Sequence, residues 1–367
     1  MSTNRRNWLK QMGFGLAGVS IAPLESIAGT FTDFSLDKSD DKITRLSSNE
    51  NPYGPSPMVR KAMADSIIYS NRYNGEQLIT LIDSVAQKNK VKADNILMTA
   101  GSTEVLDTMA RLAALKKGNI VVPSPTFDYF TAMAQHIGLT KITVPLTADK
   151  KIDLQAVLTA IRPDTSLVYI CNPNNPTGTL LNRDALVQFV KEASQKTMIL
   201  LDEAYLDFTE EQSLSELVLE NKNLVIAKTF SKIYGLAGAR AGYAIAHAET
   251  IEAITKMQTW PHGSISVVST AGALASLQDE KFTKEVYTKI HQSRKYTIDQ
   301  MEKMGIHCIP SYTNFIYFTL ADYKKDFFEQ LKKNNIIGTR FYEEDGKWSR
   351  ITVGTQTEME KYIKAIS

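Results

Sequence analysis

Lys228-Thr229-Phe230-Ser231-Lys232 sets an amine beside two hydroxyls, and Gly238-Ala239-Arg240 follows closely. Lysine is the usual amine for carbonyl chemistry, because desolvation or nearby cations lower its pKa and free the lone pair. Thr229 and Ser231 suit a Schiff base at Lys232 to an aldehyde that also carries a phosphate. Arg240 would add a charge-assisted contact to that phosphate. A lone Ser-Lys pair is usually a solvated surface feature, but three companion signals precede this one. Ala100-Gly101-Ser102-Thr103-Glu104 lies between a strand-like and a helix-like stretch, where backbone N–H groups and the helix dipole cradle phosphate. Ser102 or Thr103 there could equally be a plain N-cap. Cys171-Asn172-Pro173-Asn174-Asn175-Pro176-Thr177-Gly178 is a stiff turn that could fix Asn175 over a sheet edge. Leu201-Asp202-Glu203-Ala204-Tyr205 puts a carboxylate at a buried strand end, which is costly unless it is paired. A protonated ring nitrogen would pair Asp202 and make the ring an electron sink. Tyr205 could reach a phenolic oxygen of the same ring.

Short apolar runs must hold these residues. Ile96–Thr99, Ile120–Pro123, Leu167–Cys171, Met198–Leu201 and Leu224–Ala227 end in Gly, Pro, Asp or Ser and suit strands buried on both faces. Thr103–Lys116 and Arg183–Lys196 carry helical periodicity with charged faces. That alternation predicts an α/β fold with a mostly parallel sheet covered by helices. In such sheets ligands sit outside the carboxyl ends of the strands, where the four signals fall. After Pro261 the pattern changes. Helical stretches at Ser264–Leu277 and Lys281–Lys303 lead to strand-like Ile306–Pro310, Asn314–Thr319 and Ser349–Val353, a smaller α+β unit. The expected division is a signal over 1–28, an arm and part of the small domain over 29–60, a large domain over 61–262 and a small domain over 263–367.

Together these motifs resemble the fold-type-I pyridoxal-phosphate aminotransferases (class I/II), most of all the histidinol-phosphate aminotransferase family. The resemblance runs from Leu46 to Thr355. Its most specific pieces are Ser48-Asn49-Glu50-Asn51-Pro52-Tyr53-Gly54-Pro55-Ser56-Pro57, the Asn-Asn-Pro-Thr-Gly turn, Asp202–Tyr205, Thr229–Lys232 and Arg350-Ile351-Thr352-Val353-Gly354-Thr355. It implies pyridoxal 5′-phosphate as cofactor, a seven-stranded type of sheet, and Lys232 as the Schiff-base lysine. It also implies Asp202 at the pyridine nitrogen and Asn175 and Tyr205 at the phenolic oxygen. Ser102, Thr103, Thr229, Ser231 and Arg240 would surround the phosphate, and Phe127 would stack on the ring where many relatives carry Tyr. Tyr73, in Asn71-Arg72-Tyr73, matches a tyrosine that reaches the phosphate from the neighbouring subunit, which implies a homodimer with shared active sites. Arg350 matches the arginine that receives the substrate, since a guanidinium fork suits a carboxylate. A surface ion pair on a strand is the competing reading of Arg350. Tyr53 and Arg340 complete the substrate candidates.

The resemblance implies transfer of an amino group between an amino acid, or a histidinol-phosphate-like amine, and a 2-oxo acid. The chain departs from the histidinol-phosphate enzymes in two places. It lacks their N-terminal Pro-Tyr segment, and Ile336-Ile337 is followed by Gly338 and Thr339, with Arg340 displaced. An exported transaminase for aromatic or basic amino acids fits equally. A decarboxylase of a phosphorylated amino acid shares the fold and the lysine. The aminotransferase-like sensor of some transcription regulators would need a DNA-binding domain where this chain has a signal-like segment.

That segment reads Asn4-Arg5-Arg6-Asn7-Trp8-Leu9-Lys10, then an apolar stretch from Met12 to Ala22 and a small-x-small site at Ser26-Ile27-Ala28. It resembles a twin-arginine export signal and predicts a periplasmic protein, or a cytoplasmic one if the segment is an ordinary helix. The apolar run is shorter than the about 20 residues a membrane span needs. Cleavage after Ala28 removes Arg5, Arg6, Lys10 and Glu25 from 42 basic and 40 acidic residues, leaving 39 of each. The 367 residues are 43% hydrophobic and 22% charged with net charge +2, the composition of a globular enzyme rather than a nucleic-acid binder, which needs a clustered cationic face. Cys171 and Cys308 lie far apart, and the five histidines show no ligand spacing, so no metal site is expected. Both cysteines read as small apolar packing residues.

Overall fold

The computed structural model describes residues 43–262 and 264–367. The expected export segment and most of the arm lie outside the described residues. Twelve strands are described: β1 (Thr44–Arg45), β2 (Ile96–Thr99), β3 (Asn119–Ser124), β4 (Thr140–Pro145), β5 (Thr165–Cys171) and β6 (Met198–Asp202). They continue with β7 (Leu224–Thr229), β8 (Gly242–Ala246), β9 (Cys308–Ile309), β10 (Phe315–Thr319), β11 (Ile336–Ile337) and β12 (Trp348–Thr352).

Seven strands form one sheet in the order β2-β8-β7-β6-β5-β3-β4, parallel except for β8, which runs antiparallel to both of its neighbours. Strand alternation divides its side chains between two cores. Val168, Ile170, Ile199, Leu201 and Ile226 enter one, whereas Leu167, Tyr169, Leu200, Val225 and Ala227 enter the other with Val105, Leu106 and Met109 of the helix Ser102–Ala114. Burial on both faces explains why these strands read as unbroken apolar runs. The same alternation puts Asp202 and Thr229 on the face of that helix.

β4 and β8 were not legible as strands. β4 is an edge strand of Thr, Lys and Pro that is largely outward-facing, and β8 is a Gly-Ala-rich strand of reversed direction. Gly242 in β8 has a steric reason. A Cβ there would lie 2.5 Å from the Gly101 carbonyl carbon and the Ser102 nitrogen, so only glycine lets β8 pass behind that turn.

The C-terminal part holds the helices Val267–Gln278 and Glu280–Lys303 and the antiparallel sheet β12-β10-β9. The helix expected at Ser264 starts three residues later because Ser266 caps it, its hydroxyl accepting from Ser269 N. Within the expected arm and small-domain segment over 29–60, Thr44 and Arg45 form a parallel strand pair with Ile336 and Ile337. Chain on either side of the large sheet is thereby tied together. Among the described residues no helix is long and apolar enough to cross a membrane.

Candidate active site

The four polar signals converge at the carboxyl ends of β2, β5, β6 and β7. Asp202 ends β6 and is 2% exposed. One oxygen accepts from the Tyr169 hydroxyl at 2.9 Å and the other from Ala204 N at 3.0 Å. Burial nevertheless lifts its pKa to about 6 against those two hydrogen bonds. Tyr169 was hidden in the sequence, because a tyrosine inside an apolar strand reads as core.

Lys232 follows β7 in a turn closed by Gly235 N to the Lys232 carbonyl at 3.0 Å. Its Nζ lies 3.4 Å from the Ser48 and Asn49 carbonyls and 5.4 Å from the centre of the Tyr205 ring. Burial first, then the Arg350 charge, brings its pKa down to about 8. The Tyr205 hydroxyl accepts from Asn49 Nδ2 at 3.0 Å and from Asn175 Nδ2 at 3.4 Å, and burial raises its pKa. Asn49 belongs to the Ser48–Pro57 motif, but nothing in the motif itself pointed to this contact.

The phosphate-cradle turn is not an ordinary side-chain cap. Gly101 is the N-cap, with φ +78° and no side-chain hydrogen bond, so Ser102 and Thr103 are the first helical residues. Thr103 Oγ1 accepts from Arg240 Nη2 at 2.8 Å, and Arg240 Nη1 lies 3.4 Å from Ser231 Oγ. Thr229 Oγ1 donates to Ser231 Oγ at 2.8 Å. A side chain at Gly101 would collide with the Arg240 guanidinium. Arg240 itself holds φ +53°, a conformation uncommon for a non-glycine residue.

Arg350 is 7% exposed, which removes the surface ion-pair reading. Its Nη1 donates to Asn175 Oδ1 at 2.5 Å and its Nη2 to the Ser47 carbonyl at 2.7 Å, while Nε is buried without a partner. Phe127 sits before the helix Asp128–His136. Its loop is pinned to the Asn174 turn by Thr126 Oγ1 donating to Asn174 Oδ1 at 2.8 Å.

Three candidates stand apart from this group. Tyr73 is 83% exposed and packs on Trp260 at 4.9 Å. The Tyr53 ring lies under Lys289 at 5.1 Å. Arg340 pairs with Asp128 at 2.5 Å. Cys171 and Cys308 are buried free thiols whose pKa values burial raises, as expected of packing residues. No metal-binding cluster occurs among the described residues.

Residues 41–366 match the family model for class I and II aminotransferases. The chain belongs to this family. It is 33% identical over 329 residues to a histidinol-phosphate aminotransferase of Moorella thermoacetica, covering 88% of this chain and 84% of that protein. It is 31% identical over 330 residues to an aromatic amino acid aminotransferase of Cutibacterium acnes, covering 89% and 92%. The crystal structure of histidinol-phosphate aminotransferase from Sinorhizobium meliloti in complex with pyridoxal-5′-phosphate superposes with a TM-score of 0.81 at 29% identity, covering 89% of this chain and 90% of that one.

This aminotransferase uses pyridoxal 5′-phosphate, and its residues fit that group. A buried carboxylate with a raised pKa lacks a strong cation, a hydroxyl and guanidinium cradle faces a helix start, and a lysine of lowered pKa stands among them.

The lowered pKa makes the Lys232 amine more reactive near neutrality than a lysine at its ordinary pKa. Competitive acetylation followed by peptide mass spectrometry should show Lys232 labelling with a midpoint near pH 8. A midpoint at the ordinary 10.5 contradicts the geometry.

Proposed function

We propose that this aminotransferase takes its amino group from an amino acid with an aromatic side chain and gives it to a 2-oxo acid. The observation that carries the reading is Arg350. It is a buried guanidinium with a free Nε, oriented by Asn175 and faced by the rings of Phe315 and Tyr342, each 5.2 Å from its Cζ. Such a fork binds a carboxylate, and the rings beside it suit an aromatic neighbour. The relative that acts on aromatic amino acids supports this side-chain class. At Gly338 a Cβ would lie 2.5 Å from Leu331 Cδ1, so a side chain directly after Ile337 would require the Leu331 side chain to shift.

In this reading Asp202 would pair with the ring nitrogen, and Asn175 and Tyr205 would stand at the phenolic oxygen. Ser102, Thr103, Thr229, Ser231 and Arg240 would hold the phosphate, and Phe127 would cover the ring. When bound, the cofactor supplies an electron sink for the pair left at the substrate α-carbon. Lys232 Nζ takes the α-proton and returns it to the product side as general base and acid, which its pKa near 8 suits. Arg350 fixes the substrate carboxylate and with it the direction of the Cα–H bond. Asn175 links the two tasks, because its Oδ1 receives Arg350 while its Nδ2 faces Tyr205.

Phenylalanine, tyrosine or tryptophan added singly to the holoenzyme should bleach the visible cofactor band, and Lys232→Ala should abolish turnover. A band moved only by histidinol phosphate would shift the donor to that amine. Carbon dioxide release in place of a 2-oxo product would mean decarboxylation. Transamination retained by Lys232→Ala would remove the central residue.

A homodimer with shared sites belongs to the same reading. Ile67, Ile68, Tyr69, Tyr73, Ile79 and Trp260 are large apolar residues left exposed, a concentration that marks an interface. Tyr73 lies among them and would reach the partner's phosphate. Sedimentation equilibrium should give twice the chain mass, with Tyr73→Phe weakening cofactor retention. A monomer with full activity would contradict both.

A further inference from the structure

We infer that Lys150 is a positioning residue for substrate binding: it holds the Glu343 carboxylate away from Arg350 and leaves that guanidinium to the substrate. The inference rests on Arg350 as the carboxylate anchor, as proposed above, and adds what keeps the anchor open.

Lys150 lies in a tight turn beyond β4. Its N donates to the Thr147 carbonyl at 2.9 Å, and Thr147 N donates to the Lys151 carbonyl at 2.9 Å. Its φ is +60°, a left-handed conformation uncommon for a residue with a side chain. Thr179 Oγ1 donates to the Lys150 carbonyl at 3.0 Å, which ties this turn to the one that carries Asn175. From that fixed backbone Nζ reaches both carboxylate oxygens of Glu343, at 2.7 and 2.8 Å, and stands 4.4 Å from the centre of the Trp348 ring. The two side chains are only 15% and 22% exposed. Exposed pairs contribute little, but a forked contact under an indole and mostly out of water is held firmly.

The carboxylate it holds is a neighbour of Arg350. Glu343 Oε1 also accepts from the Tyr317 hydroxyl at 2.7 Å. Tyr317 pairs directly with Arg350 across β10 and β12, so the two side chains share a face. Trp348, two residues before Arg350, shares it too and stacks on Tyr317 at 5.2 Å. Tyr342, the residue before Glu343, has its ring 5.2 Å from Arg350 Cζ. Arg350 Nε is buried without a partner among the described residues, whereas Arg340, the other cation beside Tyr342, already has Asp128 at 2.5 Å. The remaining carboxylates of this turn, Glu344 and Asp345, are exposed, and Asp345 accepts from Lys347 N at 3.0 Å. Without Lys150, the Glu343 carboxylate would turn to Arg350 and occupy it as an internal competitor of the substrate.

The test uses the holoenzyme, the variants Lys150→Met and Glu343→Gln, and their double variant. The probe is 3-phenylpropionate, which has a carboxylate and a ring but no amino group to transfer, with its affinity read by calorimetry. Lys150→Met should weaken binding about tenfold, the scale of one charged contact, and the double variant should restore it. Glu343→Gln alone should bind like wild type, which keeps the test open if Lys150→Met does not fold. KM for phenylalanine should follow the same pattern while kcat changes little. The apoprotein supplies a second readout. Arg350 helps to lower the Lys232 pKa to about 8, so a Glu343 that neutralises Arg350 should move the Lys232 acetylation midpoint upward in Lys150→Met and back in the double variant. A loss that the double variant does not restore would make Lys150 a structural clasp, and an unmoved Lys232 midpoint would show that Glu343 does not reach Arg350. Weakened binding in Glu343→Gln would mean that the pair itself shapes the pocket. Each of these overturns the inference and leaves the Arg350 reading standing, whereas wild type that fails to bind 3-phenylpropionate would overturn both.

Discussion

A carboxylate that is 2% exposed at the end of a central strand constrains most of what surrounds it. Asp202 has two hydrogen bonds, yet burial still raises its pKa to about 6. Two neutral donors therefore do not replace the water it lost. A cationic ring nitrogen would, and the rest of the site is arranged around a ring in that position. Lys232 comes from the next strand, Tyr205 and Asn175 from the flanking turns, and the phosphate cradle from the helix that covers the same face of the sheet.

A second constraint is that Arg350 and Tyr205 share one partner, Asn175. Asn175 orients Arg350 through one end of its amide and faces Tyr205 with the other. Arg350 also depresses the Lys232 pKa, after the larger effect of burial. A substrate carboxylate on Arg350 would cancel part of that charge and let Lys232 hold a proton more readily. On the proposed assignment, substrate arrival and base strength would be coupled electrostatically, without any movement of the backbone.

Much of this was legible in the sequence for a definite reason. Buried parallel strands write themselves as unbroken apolar runs, and the residue after each run is where the chain can afford a polar group. Asp202, Asn175, Thr103 and Lys232 were therefore candidates by position as well as by type, and the structure places them at neighbouring strand ends. The missing pieces lacked such a signature. β8 runs against its neighbours and is Gly-Ala-rich, and Tyr169 hides a necessary hydroxyl in an apolar strand. Asn49 reaches Tyr205 from 156 residues away in sequence. The Arg340–Asp128 pair, 212 residues apart, depends on tertiary folding that no local pattern encodes.

The central claim, that Asp202 awaits a cation, is tested most directly by the pH dependence of stability. A folded-state pKa near 6 against the ordinary 3.8 means the folded apoprotein holds the extra proton between those values. Stability must then fall as pH rises through that window, by on the order of 3 kcal/mol for a full shift. Denaturant unfolding of the apoprotein from pH 4 to 7 should show wild type losing stability relative to Asp202→Asn, with the loss abolished when pyridoxal phosphate is bound to wild type. Parallel curves for the two apoproteins, or a loss that persists in the holoenzyme, would contradict the account.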